Sequence, residues 1–221
     1  MKICTLGVGK YFCQTYSKKL KEYTDKNKNI DLIVLTDYPE YFNFCKTEIY
    51  EDDVFSYFSK NTFTAKISKK YKTDVLYVDI DSFHIIDDSL HTKQLNTPYF
   101  LYDKLWYGDY GHGRFLTYTD SKSLSSDLID YYEITENFKI KNILEKIFYL
   151  PYSEKIDNLY KDLVITKEIW DTKTKMNKPI GSEILYSKYG IGYGEGIPLS
   201  LSLIMNGIQT MRYQLTKISL I

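Results

Sequence analysis

Arginine is almost missing from this chain: of its 29 basic residues only Arg114 and Arg212 are arginine, and the rest are lysine. Net charge is missing as well, because 29 acidic residues cancel the basic ones. Bulk charge therefore gives no reason to expect a nucleic acid or a membrane surface as partner, and only local patches could do so. Cysteine is scarce. Cys4, Cys13 and Cys45 fall at spacings that match neither a zinc nor a redox pattern, and an odd number gives no disulfide framework. A reducing, cytoplasmic setting is the simplest expectation. No segment reaches the roughly 18 uninterrupted apolar residues of a spanning helix. The opening "MKICTLGVGKYF" is too short in its apolar run, and too quickly polar, for a signal peptide. A soluble protein is expected.

What is present is enough chain for a full core. At 221 residues, one domain over 1–221 is the expectation, since no internal repeat, low-complexity linker or composition boundary divides it. The 23 tyrosines are a compositional bias that says little about function.

The first half alternates strand and helix signals. Lys2 to Leu6 is a strand candidate running into the glycines of "GVGKY", and a Lys-rich segment from about Phe12 to Lys28 has Tyr16, Leu20 and Tyr23 at helical spacing. "IDLIVLTD" is a β-branched run of strand length ended by Asp37 and Pro39, and "VLYVDID" is a third strand. Between them "FTAKISKKYK" places Phe63, Ile67 and Tyr71 on one helical face. Apolar strands alternating with helices imply a mostly parallel sheet covered on both faces, with ligands bound beyond the carboxyl ends of its strands. Both "GVGKY" and "DID" lie at such ends, so the two loops can face one site.

The second half is less regular. "SKSLSSDLIDYY" and "NFKIKNILEKIFYL" have a helical look, "DLVITKEIW" that of a strand, and "DTKTKMNKPIGS" that of an exposed loop. In "GIGYGEGIPLSLSLIMNGI" a glycine-rich loop feeds a helix that starts at about Glu195 to Pro198, carries Leu199, Leu203 and Met205, and stops at Gly207.

The sharpest feature is the strand "VLYVDID", which ends in Asp79 and Asp81. Two ionised carboxylates two residues apart repel each other and resist burial unless a cation offsets them. Hard oxygen ligands of this kind suit Mg²⁺ or Mn²⁺, which share their remaining positions with substrate phosphates. The same pair can instead cap the following turn through side chain to backbone hydrogen bonds. Haloacid-dehalogenase-type phosphatases also use a D-x-D after an apolar strand, but on their first strand, whereas here it follows the third strand signal and precedes Ser82 and Phe83. Translesion DNA polymerases carry a similar string in longer, usually basic chains.

With "YVDID" at the end of a strand, the chain resembles nucleotide-sugar-dependent glycosyltransferases of the GT-A fold. "LGVGKY" resembles the start of the retaining α-1,3-galactosyl and blood-group enzymes, and "TAKI" ahead of "VLYVDID" is similar to the glycogenin-like family. The resemblance covers residues 1 to about 88. It implies an α/β, Rossmann-related domain with a nucleotide-sugar-binding half at 1–88 and an acceptor-binding half at 89–221. It further implies that Asp79 contacts the ribose or the metal, and that Asp81 coordinates Mn²⁺ (or Mg²⁺) and through it the donor diphosphate. Tyr11 would stack on the nucleobase, with Leu6, Gly7 and Val8 forming the backbone edge of its pocket. Lys66 would approach the phosphates or the sugar, and Glu195 would lie near the reacting sugar carbon. A UDP-sugar donor is favoured, and the acceptor is a glycan, a protein or a modified DNA base. A Mg²⁺-dependent phosphohydrolase or nucleotidyltransferase using the same Asp pair, or a non-catalytic sugar-nucleotide-binding module, are the alternatives. His84, His112, Asp87, Asp88, Trp106 and Trp170 each have a bland use in turns or packing beside a functional one.

Overall fold

The computed structural model describes residues 1–52, 56, 58–83, 99–102, 115–116, 130–133, 140–141, 146–174, 196–208 and 211–214. Three apolar runs form the parallel strands β1 (Lys2–Gly7), β2 (Leu32–Thr36) and β4 (Val75–Val78), all buried along their length. β3 (Lys46–Ile49) pairs parallel with β2 at the sheet edge. β5 (Tyr99–Tyr102), β8 (Ile147–Leu150) and β9 (Met211–Gln214) complete a seven-stranded sheet of order β3-β2-β1-β4-β8-β5-β9, while β6 (Phe115–Leu116) and β7 (Ile140–Lys141) form a separate antiparallel pair. β8 runs antiparallel to both β4 and β5, and the other pairings of the large sheet are parallel. The order 3-2-1-4 of the first four strands is that of a Rossmann-type half. The mostly parallel sheet expected from the sequence is present.

Helices cover both faces. α1 (Lys10–Lys26) buries Cys13 and Leu20 against Ile3, Val34, Leu76 and Val78, with Tyr16 and Tyr23 packed beside them, as the helical spacing predicts. On the opposite face α2 (Ser59–Tyr71), α3 (Ile156–Thr174) and α4 (Gly196–Met205) enclose a second core that contains Phe63, Ile67, Leu159, Leu163, Leu199 and Leu203. Successive strand residues face opposite sides, so Val75 and Tyr77 join the α2 core while Leu76, Val78 and Ile80 join the α1 core. The α4 helix ends where expected: Gly207 has φ of 62° and donates to the Ile204 carbonyl, while the Ile208 N–H donates to that of Leu203. Those two bonds are the Schellman ending that glycine permits. Among the described residues no helix is long and apolar enough to cross a membrane.

Two expectations for the second half are overturned. "DLVITKEIW" is helical, within α3, not a strand, because Ile156, Leu159, Leu163 and Thr166 recur at helical spacing and are buried where α3 packs against α2 and α4. "IFYL" at the end of the predicted helix over 137–150 is strand β8, since it completes ladders with β4 on one side and β5 on the other. Its Phe148 stacks on Tyr77 of β4 with ring centroids 5.2 Å apart.

Asp162 of α3 anchors a polar cluster between helices. Tyr131 and Tyr132 donate to its two oxygens at 2.9 Å, and the Tyr132 hydroxyl also meets Ser202 Oγ at 2.7 Å. Burial first, then Asp162, pushes the Tyr131 phenol up to about 12, and the same two causes raise buried Tyr132. An unfolded phenol ionises near pH 10. The stability held by keeping these phenols neutral is thus complete below about pH 10 and is lost as pH rises through about 12. The urea midpoint is expected to fall between pH 8 and pH 11, and an Asp162→Asn variant to show a smaller fall.

Candidate active site

Four loops converge at the carboxyl edge of the sheet. β1 ends in Gly7, whose lack of a side chain permits a close approach: a Cβ there would lie 3.0 Å from Ile80 Cδ1 and 3.0 Å from Phe42 Cζ. The "GVGKY" and "DID" loops therefore touch, as their shared edge predicts. Gly7→Ala forces Ile80 and Phe42 apart and is expected to cost about 1–3 kcal/mol in urea unfolding. A variant as stable as the parent would show that the two loops do not pack this tightly.

The start of α1 is fixed by β2 rather than by its own first residues. Gly9, with φ of 90°, donates its N–H to both oxygens of Asp37 at 2.9 and 3.1 Å. A carboxylate at a helix N-terminus satisfies an orphan N–H and complements the helix dipole. It also occupies the amide that a phosphate would seek there. Cys13 ties the loop down from below, donating to the Gly7 carbonyl at 3.1 Å, and burial pushes its thiol pKa up so that it stays a donor. Tyr11, in the first turn of α1, is 74% exposed, and its ring meets that of Phe12 edge to face with centroids 6.1 Å apart. Its ring is open for stacking. Leu6 is buried and Val8 packs against the α2-side core.

At the end of β4 the turn is built around Ile80. That side chain is buried in the α1 core, leaving Asp79 and Asp81 on either side of an anchored residue. The Asp79 N–H continues the ladder to the Lys146 carbonyl at 2.8 Å, and the Ser82 N–H closes the turn onto the Asp79 carbonyl at 2.8 Å. Asp79 Oδ1 accepts from the Tyr77 hydroxyl at 2.9 Å and lies 3.7 Å from Lys60 Nζ. Asp81 Oδ1 accepts from the Ser82 hydroxyl at 2.7 Å and lies 3.6 Å from Lys146 Nζ. The exposures differ sharply. The Lys60 side chain is 5% exposed and Asp79 30%, whereas Lys146 and Asp81 are 37% and 43% exposed.

Two lysines thus supply much of the positive charge that the carboxylate pair calls for. Among the described residues no cluster of three or more His, Cys, Asp or Glu side chains is placed to hold a metal ion. Two adjacent carboxylates are nevertheless the donor set that Mg²⁺ or Mn²⁺ uses when substrate phosphates and water complete its shell.

The lysine that the resemblance places near the donor lies elsewhere. Lys66 Nζ is 3.8 Å from Glu48 Oε2 on β3, and Glu48 also binds Lys70 at 2.5 Å. Lys66 lines a separate cavity of about 450 Å³ between α2 and α3, with Tyr50, Asp52, Ser59 and Lys167. The reason is helical phase: six residues advance a helix by about 600°, so Lys60 and Lys66 point about 120° apart. Lys60, which sequence reasoning missed, is the residue of α2 that meets Asp79. Its signal was weak, because a lysine in a helix's first turn ordinarily points to solvent. Glu195, His84, His112, Asp87, Asp88 and Trp106 lie outside the described residues, and of Trp170 only its place in α3 is described.

Comparison with protein-family models gives no match, and comparison with curated proteins gives none either. Among solved structures the chain is similar to the crystal structure of a glycosyltransferase involved in the glycosylation of the major capsid of PBCV-1, with 7% identity and a TM-score of 0.39 over 97% of this chain and 83% of that one. A likeness that low carries no weight in assigning a function.

Proposed function

We propose that this chain is a metal-dependent glycosyltransferase that moves a sugar from a nucleoside-diphosphate donor, UDP favoured, to an acceptor hydroxyl on a glycan, a protein or a modified DNA base. The observation that carries the reading is the Asp79–Ile80–Asp81 turn at the carboxyl end of β4, backed by buried Lys60 and packed against the β1 loop that presents Tyr11. In such a transfer the bond from the anomeric carbon to the diphosphate oxygen breaks, the acceptor oxygen bonds to that carbon, and its proton passes to a base. Negative charge grows on the departing diphosphate. A cation held rigidly beside it lowers the transition state more than the ground state.

Lys60 has the required type and burial, and Asp79 keeps it in place at 3.7 Å. Asp79 and Asp81 would hold Mn²⁺ or Mg²⁺, which supplies charge neutralisation of the diphosphate when bound. Tyr11 would stack on the base beside the backbone of Leu6, Gly7 and Val8. Lys66, paired with Glu48, is left out of the donor site. Glu195, the residue before α4, is the carboxylate proposed to lie near the reacting carbon and to take the acceptor's proton.

Calorimetric titration with UDP and GDP, each with and without Mn²⁺, tests the reading. Binding that needs the metal is expected, and its absence in a folded chain overturns the proposal. Phosphate release from simple monoesters would point to the phosphohydrolase chemistry instead. Tyr11→Ala is expected to weaken nucleotide binding about 10-fold, the worth of one base–aromatic stack, with the fold unchanged because the ring is exposed.

A further inference from the structure

Beside Lys60 stands a side chain that the fold buries and does not use. Asn61 is 1% exposed, and among the described residues neither its Nδ2 nor its Oδ1 has a hydrogen-bond partner. An orphaned buried amide costs free energy on both its donor and its acceptor side, so a natural chain keeps one where something else completes it. The position of Asn61 follows from helix geometry. Asn61 and Ala65 are one turn apart on the same face of α2, and Ala65 lies in the core with Leu6 and Tyr77. One turn toward the start of α2 is about 6 Å. Lys60 of that same turn reaches Asp79, so α2 begins over the carboxyl ends of the strands. There, about 6 Å spans two strand residues, which leads from Tyr77 to Asp79 and from Leu6 to Val8. Asn61 accordingly faces the sheet at the level where the Asp turn and the β1 loop meet.

From this we infer that Asn61 is a ligand-binding residue of this site that hydrogen-bonds a sugar hydroxyl of the donor. The inference rests on the glycosyltransferase reading. The chemistry selects the group: a phosphate only accepts and would leave Oδ1 orphaned, whereas a sugar hydroxyl both donates and accepts and satisfies both ends of the amide. That hydroxyl belongs either to the ribose or to the transferred sugar.

The test compares the full chain with Asn61→Leu, which keeps the shape and removes both polar atoms, and with the smaller Asn61→Ser. Affinities for pyrophosphate, UDP, UDP-glucose and UDP-galactose are measured with Mn²⁺, along with the melting temperature of the unliganded protein. Asn61→Leu is expected to melt no lower than the parent and to bind pyrophosphate equally well. A loss of about 10- to 100-fold for UDP and both UDP-sugars assigns the ribose. The same loss for the UDP-sugars alone assigns the transferred sugar. Equal affinities for all four probes, or an equal loss that includes pyrophosphate together with a lower melting temperature, overturns the inference and makes Asn61 structural. If the parent binds no nucleotide, the glycosyltransferase reading falls by itself. Saturation-transfer NMR with glucose and galactose then decides the inference: contact abolished by Asn61→Leu and weakened by Asn61→Ser sustains it, and no contact overturns it.

Discussion

Asp81→Ala is expected to lower metal-dependent nucleotide affinity by at least about 100-fold while leaving the fold intact, and Asp79→Ala to cause the same loss together with a marked fall in stability. The difference comes from what each carboxylate leaves behind. Removing Asp81 abandons Lys146, whose side chain is 37% exposed and stays solvated, so the cost is about 0–1 kcal/mol. Removing Asp79 takes a carboxylate at 3.7 Å from Lys60, whose side chain is 5% exposed, and an acceptor from the Tyr77 hydroxyl. Breaking a buried ion pair by removing one member costs on the order of 3 kcal/mol. Isothermal titration with UDP and Mn²⁺ and urea unfolding of both variants separate the two effects. Unchanged affinity in Asp81→Ala would show that the pair only caps the turn and offsets two lysines.

Lys60→Met should lower the turnover number roughly 100- to 1,000-fold, and Lys66→Met should change it less than about threefold. Of these two lysines Lys60 is the one placed at the Asp turn, where the charge grows, while Lys66 is half exposed and paired with Glu48. The methionine side chain fills the volume of the lysine stem, and Asp79, which is 30% exposed, keeps its contact with water. A large loss of turnover with an unchanged urea midpoint therefore reports on the reaction. The reverse ranking of the two variants would restore Lys66 to the donor site and remove the role proposed for Lys60.

The first half of the fold was legible because its strands and helices agree at every level of the sequence. β1, β2 and β4 are buried on both faces and so are mostly apolar, and α1 and α2 carry their buried residues at helical spacing. β3 went unseen. Its sequence, "KTEI", is half charged, because an edge strand with solvated side chains has no buried pattern to display. The segment in α3 misled through its β-branched Val164, Ile165 and Thr166; the first two are exposed and only the third is buried, beside Ser202 of α4, so local propensity yielded to the faces that pack on α2 and α4. In β8, "IFYL" takes its state from β4 and β5, partners distant in sequence.

The same division holds in the candidate site. The sequence by itself determined that two carboxylates end an apolar strand, that a glycine loop ends another, and that both lie at one edge of an α/β sheet. These are local facts, set by strand length, side-chain period and glycine. Which lysine faces the carboxylates, that Ile80 is anchored in the core between them, and that Asn61 is buried without a partner among the described residues were decided by the tertiary structure alone. The orientation of a side chain depends on the phase at which its helix lies on the sheet, and that phase is set by packing across elements far apart in the chain.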